Sequence, residues 1–337
     1  MRRILAATVA VVATIPMLAA CSSNNNSDKP FITVYNAQHK ELLEEIAPGF
    51  TKETGIDVKL RNGSDFELAN QLVQEGSASP ADVFLTENSP AMSLVGSKGL
   101  FAPVDAGTLA QVPAQYSPAN GDWMGFAARS TVVVFNTAKV KEADLPASII
   151  DLAKPEWKGK IAFSPTGADF QAIVSAVLQT KGEPATKAWL KGLKANGTVY
   201  QGNSAVMQAV NAGEVEAGVI YHYYWYRDQA ESGQNSANSR LHFFGGKDPG
   251  AFVSVSGAGV LKASKKKDNA GLFLKYLSGT KGQQALADSN ALEYPLNPAV
   301  QLKPPVKSFG ELDPPTIDLS NLNGPKVISM MQEAGFL

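Results

Sequence analysis

Beyond residue 30 the chain alternates short β-rich apolar runs with amphipathic stretches of helical period. The first kind of run predicts strands and the second predicts helices. The predicted strands are 32–35, 56–60, 81–85, 126–136, 160–163, 217–221 and 252–261. The predicted helices are 39–54, 65–75, 89–98, 169–179, 186–195, 269–278 and 281–288. This alternation is typical of an α/β fold with largely parallel strands.

Two of the predicted strands, 126–136 and 252–261, are long and lie far apart in the sequence. Such a pair predicts two α/β lobes joined by paired hinge strands, and roughly 310 residues suffice for two lobes of ordinary domain size. We expect residues 31–130 and 254–304 in the first lobe, and residues 131–253 and 305–337 in the second.

The first 20 residues have the features of a cleaved secretory signal. Two arginines precede an uncharged apolar run that is too short to span a bilayer comfortably. The run ends in Leu18-Ala19-Ala20-Cys21, which resembles the bacterial lipobox and implies lipidation of Cys21, although an ordinary signal with a chance cysteine is the alternative. Residues 21–30 are polar and predict a flexible tether.

Charge and cysteine content narrow the class of protein. The chain has 30 basic and 31 acidic residues and a formal charge of −1, which argues against a nucleic-acid partner. Cys21 is the one cysteine, so the exported fold has no internal disulfide and depends on its own core. We therefore expect a monomer outside the cytoplasm, attached to the cell membrane only through lipid.

The segment Tyr221-His222-Tyr223-Tyr224-Trp225-Tyr226-Arg227 is the densest aromatic run of the chain. Adjacent residues of a strand point to opposite faces. A strand that ends near Tyr221, followed by a helix from about Tyr224, instead lets the phenols of Tyr223 and Tyr224 converge. The alternative is an aromatic patch in the core or at an interface.

Polar side chains also follow two other predicted strands, and ligands of open α/β sheets bind beyond the carboxyl ends of strands. His39 follows the first strand and Glu87 the third, although either residue can simply begin a helix. With the two phenols they form a set of mostly hard oxygen donors, unlike the cysteine- and histidine-rich sites of zinc or the carboxylate and carbonyl sites of calcium. A strongly acidic trivalent metal can deprotonate phenols, so the set indicates ferric iron.

At these positions the chain resembles the periplasmic ferric-ion-binding proteins of bacterial iron-uptake transporters. The matching segments are 34–41, 79–87, 132–138 and 222–227. The resemblance implies the type II periplasmic-binding-protein fold. It also implies Fe(III) as cargo, bound by Tyr223, Tyr224, His39 and Glu87.

The resemblance further implies a synergistic anion, phosphate or carbonate, that completes the coordination of iron. The residues that it assigns to the anion are Thr166, Gly167, Ala168, Asn203, Asn88 and Arg129. Thr166 to Ala168 lie between a strand and a helix, where free N–H groups accept an anion. Arg129 faces the anion or pairs with an acid. Tyr221 stands where several relatives carry asparagine, and Asn88 stands where they carry glutamine.

The resemblance implies lobe closure on iron and delivery to an ABC-transporter permease. One alternative is the same fold with an organic cargo such as thiamine, a polyamine or a phosphonate, in which aromatic rings box a cation. We expect no enzymatic activity, because the chain has 3 histidines and no recognisable nucleophile, phosphate-loop or zinc-protease motif. A structural or adhesive lipoprotein would not explain polar residues gathered at strand ends.

Overall fold

The computed structural model describes residues 29–303, 305–322 and 324–337. The predicted signal (1–20), the lipidation site Cys21 and nearly all of the predicted tether (21–30) lie outside the described residues. Among the described residues, no helix has both the length and the apolar character needed to cross a bilayer.

The strands form one extended sheet with the order β2-β1-β3-β9-β4-β7-β5-β6, and β8 and β10 add to β4. Their bounds are β1 (Phe31–Asn36), β2 (Asp57–Asn62), β3 (Val83–Leu85), β4 (Met124–Asn136), β5 (Ile161–Phe163), β6 (Thr198–Val199), β7 (Ala217–Tyr221), β8 (Ser239–His242), β9 (Val253–Val260) and β10 (Tyr294–Pro295). Strands β1, β2 and β3 are parallel to one another, as are β5, β6 and β7. The fold is therefore the predicted α/β class.

Helices pack on both sets of parallel strands. Their bounds are α1 (Lys40–Thr54), α2 (Asp65–Glu75), α3 (Ser89–Ser97), α4 (Ala106–Leu109), α5 (Ala168–Asn196), α6 (Asn203–Ala212), α7 (His222–Glu231), α8 (Lys267–Ser278), α9 (Thr280–Asp288) and α10 (Gly324–Glu333). The predicted helices are all present to within a few residues. Helix α5 joins two of them across a kink at Gly182, whose φ of 79° is outside the helical region.

Strand β4 connects the two sets of strands, and all of its residues are buried. Up to Ser130 it pairs with β9, and from Thr131 onward it pairs with β7. Strand β9 in turn pairs with β3. The two long strands therefore run side by side between the lobes, as the sequence predicted. The residue limits assigned to each lobe stay a prediction.

Two of the apolar clusters lie on opposite sides of this connection. One cluster packs β1 and α1 against α8, with Phe50 and Phe273 at its centre. The other packs β5 against α5 and also includes Met330 of α10. We did not predict α4, α6, α10, β6, β8 or β10 from the sequence. Most of these elements are short, and α10 follows a proline-rich segment, but α6 was missed although Val206 and Val210 lie on one buried helical face.

Candidate metal centre

The two adjacent tyrosines lie at a strand-to-helix corner. Strand β7 ends at Tyr221, which has an extended backbone, and α7 begins at His222 rather than near Tyr224. In the first turn of α7 the rings of Tyr223 and Tyr224 stack with their centroids 4.2 Å apart. The corner therefore brings the two phenols to one place, as predicted, and Tyr223 is completely buried.

The phenol of Tyr223 meets the two predicted ligands from the other lobe. Its Oη lies 3.4 Å from Nε2 of His39 and donates a hydrogen bond of 3.2 Å to Oε1 of Glu87. Nε2 of His39 and Oε1 of Glu87 are 3.8 Å apart. His39 follows β1, Glu87 follows β3 and Tyr223 follows β7. The carboxyl ends of three strands from both lobes therefore meet at one point.

The phenol of Tyr224 meets a carboxylate that the sequence did not indicate. Its Oη donates to Oδ2 of Asp169 at 3.3 Å, and Nδ2 of Asn203 donates to the same oxygen at 2.7 Å. Nδ2 of Asn88 donates to Oδ1 of Asp169 at 3.1 Å. Asp169 is a buried residue in the first turn of α5. In the sequence, Asp169 is marked only by its position directly after Thr166 to Ala168. An acidic residue in the first turn is common in any helix, so this position did not indicate a ligand.

The six predicted anion-binding residues lie in three different settings. Asn88 and Asn203 hold Asp169, whereas Thr166 and Gly167 are exposed at the start of α5 and Ala168 is its first residue. Arg129 is completely buried in β4. Thus a carboxylate of the protein itself occupies the end of α5 that was predicted to receive an external anion.

The family of bacterial extracellular solute-binding proteins matches residues 78–310. The chain is 56% identical over 329 residues to the Fe(3+)-binding periplasmic protein of Serratia marcescens, which covers 98% of this chain and 97% of that protein. This chain belongs to the bacterial extracellular solute-binding proteins.

Solved structures of solute-binding proteins have the same fold. Iron-bound HitA from Pseudomonas aeruginosa has a TM-score of 0.85 and 43% identity, covering 91% of this chain and 99% of that one. Trichodesmium FutA (IdiA), in complex with iron and citrate ligands, has a TM-score of 0.81 and 27% identity, covering 91% and 100%. The type II periplasmic-binding-protein fold and the resemblance to ferric-ion-binding proteins are thereby confirmed. The family and the Serratia marcescens relative are named as binding proteins, and this solute-binding protein is likewise not an enzyme.

In this solute-binding protein, burial and neighbouring carboxylates favour the protonated forms of three groups at the site. Burial raises the pKa of Tyr223 well above the usual value of a phenol, and Glu87 and Asp169 raise it further. The pKa of Tyr224 is likewise raised, first by burial and then by the charges of Asp169 and Glu87. Burial and the nearby Glu87 also raise the pKa of Asp169. Each of these groups becomes a good ligand once a cation displaces its proton.

Among the described residues, no group of three His, Cys, Asp or Glu side chains could hold a metal ion without further ligands. A metal at this corner therefore depends on the phenols. Arg129, beside them, donates from Nη1 to Oε2 of Glu293 at 2.8 Å and to Ser256 Oγ at 3.3 Å. Of the two roles expected for Arg129, pairing with an acid is therefore present. Its buried Nε and Nη2 have no protein partner within the described ranges. That edge is able to bind water or an anion.

The loop that carries Glu87 is held by Asp65, the first residue of α2. Asp65 accepts hydrogen bonds from the backbone N–H of Glu87 at 2.9 Å and of Asn88 at 3.0 Å. Burial, and next the charge of Glu87, raise the pKa of Asp65 to about 8. The sequence suggested only a helix start at Asp65, because the two N–H groups that it binds lie 22 and 23 residues away.

We expect Asp65→Ala to lower the free energy of unfolding by about 3 kcal/mol, since two buried N–H groups lose their acceptor at about 1–3 kcal/mol each. The freed loop should also weaken metal binding through Glu87. Urea unfolding and metal titration of the variant measure both effects. Glu45→Ala, an exposed substitution on α1, is the control and should change stability by less than about 0.5 kcal/mol. An Asp65→Ala protein as stable as this control would contradict the assigned role.

Proposed function

We propose that this solute-binding protein captures Fe(III) between its two lobes and delivers it to an ABC-transporter permease. The observation that carries the proposal is the meeting of Tyr223, Glu87 and His39 within 3.2 to 3.8 Å of one another, with Tyr224 stacked beside them. The Serratia marcescens and Pseudomonas aeruginosa relatives are named for ferric iron or were solved with iron bound, which supports the same cargo here.

The donor set favours iron over other common metals. Phenolate and carboxylate are hard oxygen ligands, and phenols with raised pKa values are deprotonated only by a strongly Lewis-acidic ion. Zinc prefers thiolate and imidazole, and calcium prefers several carboxylates and carbonyls. The proposed ligands are therefore the phenolates of Tyr223 and Tyr224, the Glu87 carboxylate and Nε2 of His39.

We propose further that Asp169 is a ligand in place of the anion that the resemblance implies. Its Oδ2 is 3.3 Å from the phenol of Tyr224, which supports a role as a ligand of the same ion. Two phenolates and the carboxylates of Glu87 and Asp169 carry four negative charges against three on Fe(III). A phosphate dianion would add two more in a buried site, which is unfavourable without further cations. Phosphate or carbonate as co-ligand is the competing outcome, and the buried free edge of Arg129 would be its binding group.

Iron would stabilise the closed arrangement of the lobes. His39 and Glu87 come from one side of the β4–β9 connection, and Tyr223, Tyr224 and Asp169 come from the other. An ion bound to both sides makes all its contacts only when the lobes are together, so it shifts the equilibrium toward that form. The closed form is then the one that we propose docks on the permease.

A visible spectrum tests the proposed cargo. Protein from Lys29 onward, stripped of metal, is given ferric citrate alone and with added phosphate or carbonate. We expect a coloured band from phenolate-to-iron charge transfer. Absence of the band in folded protein with excess iron would leave the organic-cation cargo as the better explanation. The stacking of Tyr223 directly on Tyr224 already argues against an aromatic box, because each ring covers a face of the other.

Iron binding should weaken as the pH falls. The pKa values of Tyr223 and Tyr224 are raised in the metal-free protein, so both phenols are protonated at neutral pH and must release protons on binding. About two protons released per ion correspond to a roughly hundredfold loss of affinity per pH unit. Proton release on adding ferric citrate to weakly buffered protein measures this number, with a protein-free blank. Release unchanged from the blank would contradict phenolate ligation.

We also propose the location and the lobe limits that the sequence suggested. The mature protein would be lipid-anchored at Cys21 outside the cytoplasm and monomeric. Residues 31–130 plus 254–304 would form one lobe, and residues 131–253 plus 305–337 the other. The family assignment supports the extracytoplasmic location. Mass spectrometry of the N-terminal peptide tests the lipid.

A further inference from the structure

Glu293 is a completely buried carboxylate behind the proposed iron ligands. It directly precedes β10 and follows Leu292, whose φ of 55° is rare for a residue with a side chain. Its Oε1 lies 3.1 Å from Nδ1 of His39. Its Oε2 accepts hydrogen bonds from Nε2 of Gln38 at 3.1 Å and from Nη1 of Arg129 at 2.8 Å. One carboxylate thus joins a proposed ligand to the connecting strand β4.

The two oxygens of Glu293 have different partners, and this difference has a chemical consequence. Oε2 is committed to Arg129 and Gln38, so Oε1 is the atom that meets His39. The Arg129 guanidinium binds Oε2 at 2.8 Å in a completely buried ion pair, so Glu293 is a carboxylate and can only accept hydrogen bonds. The neutral imidazole of His39 must therefore carry its proton on Nδ1. Its Nε2, the nitrogen beside Tyr223 and Glu87, then keeps its lone pair.

We infer that Glu293 is a positioning residue of the metal centre, which holds His39 in the Nδ1–H form and so directs the Nε2 lone pair at the cation. The identity of the metal in this inference rests on the proposed function. The tautomer of His39 is a property of the metal-free protein. Carboxylates that bind the far nitrogen of a metal-ligating histidine act in this way generally.

The substitution Glu293→Gln separates this role from simple packing. The amide keeps the shape of the side chain but has one oxygen and one NH₂ group. Because Arg129 and Gln38 both donate, the amide oxygen should face them, which turns the NH₂ toward Nδ1 of His39. Nδ1 would then accept a hydrogen bond, and the proton of the neutral ring would move to Nε2. The lone pair that faces the cation is lost without removal of any proposed ligand.

Nitrogen-15 NMR of histidine-labelled, metal-free protein in alkaline buffer reads the tautomers directly. The chain has 3 histidines, so Glu293→Gln and His39→Gln spectra suffice to assign them. His222 is an internal reference, since its Nδ1 accepts from the N–H of Ser130 at 3.2 Å and its proton must lie on Nε2. We expect the opposite tautomer at His39 in the unchanged protein and inversion in Glu293→Gln. An Nε2–H form of His39 in the unchanged protein would overturn the inference whether or not the variant folds.

Iron affinity provides the second readout. Glu293→Gln should weaken Fe(III) binding by about 10- to 100-fold, the usual cost of losing a carboxylate behind a ligating histidine. Added to His39→Gln, it should cause no further loss, because both changes remove the same ligand. Glu293→Gln should also lower the melting temperature, because Arg129 loses its charged partner. Thermal stability therefore does not distinguish a positioning role from a packing role.

A matched control is available on the other lobe. Glu142 Oε1 lies 3.3 Å from Nδ1 of His242, and Glu142 is exposed. Glu142→Gln should leave iron binding and the His39 spectrum unchanged. Wild-type affinity in Glu293→Gln, or an additive loss with His39→Gln, would overturn the positioning role while leaving the proposed function intact. If the unchanged protein binds no Fe(III), the proposed function fails and the NMR spectra still decide the tautomer.

Discussion

Replacing Tyr223 and Tyr224 together by phenylalanine is expected to abolish the visible iron band and nearly all affinity for Fe(III). The band arises from phenolate oxygens, and the double variant removes both of them. Each single variant should lower affinity by more than the roughly 10- to 100-fold that an outer partner of a metal ligand contributes. Titration with ferric citrate, followed by absorbance and by competition with a chelator, measures both effects.

Tyr226→Phe is the matched control for this experiment. Tyr226 lies on the same helix, two residues beyond Tyr224, and its ring packs on Trp225 and His222 instead of joining the phenol pair. Its variant should retain colour and affinity. Each tyrosine substitution removes a single hydroxyl, so melting temperatures should confirm that all four variants are folded. Colour that survives in the double variant would exclude Tyr223 and Tyr224 as the ligands that give the band, and with them the proposed metal centre.

The second large effect is expected for Asp169→Ala, which should turn an anion-independent site into an anion-dependent one. The substitution removes a proposed ligand but leaves the amides of Asn88 and Asn203, which donate to its oxygens at 3.1 and 2.7 Å. Those donors then face a space in which a small anion can bind. In buffer without phosphate or carbonate, affinity for Fe(III) should fall by about 100-fold or more, since a direct ligand is lost.

Added phosphate or carbonate should restore part of the affinity of Asp169→Ala but change the unaltered protein little. Asp144→Ala, an exposed change on the same lobe, should behave like the unaltered protein in every buffer. If the unaltered protein needs an added anion for full colour and Asp169→Ala does not alter that need, the external co-ligand completes the coordination.

The predictions that succeeded depend on local patterns. Strand β7 and helix α2 have the bounds that the sequence suggested, because a buried strand and an amphipathic helix each repeat their apolar positions over a few residues. Local order also explains the phenol pair. Tyr223 and Tyr224 directly follow a strand that turns into a helix, so their convergence requires no distant partner.

The rule that ligands bind at the carboxyl ends of strands extended these local patterns to a site. It placed His39 after β1 and Glu87 after β3, and in the structure both lie next to Tyr223. The rule works because parallel strands end at the same edge of their sheet. It does not say which of the polar residues at that edge touch one another.

The residues that the sequence did not reveal act across long separations. Glu293 meets His39 over 254 positions and Arg129 over 164, from a segment with no periodic pattern. Asp169 and Asp65 each begin a helix, where acids are common for reasons unrelated to any ligand. Nothing in their neighbourhood distinguishes them from ordinary helix starts.

By itself, then, the sequence determined the α/β class and the paired connecting strands, and it predicted four of the five proposed ligands, because periodicity and order along the chain encode which faces are buried and which residues follow strands. Only the tertiary structure decided that Asp169 lies beside Tyr224, that Asp65 holds the Glu87 loop and that Glu293 meets His39. Those contacts join loops from different strands, and their partners are selected by the packing of the whole sheet, which no local pattern records.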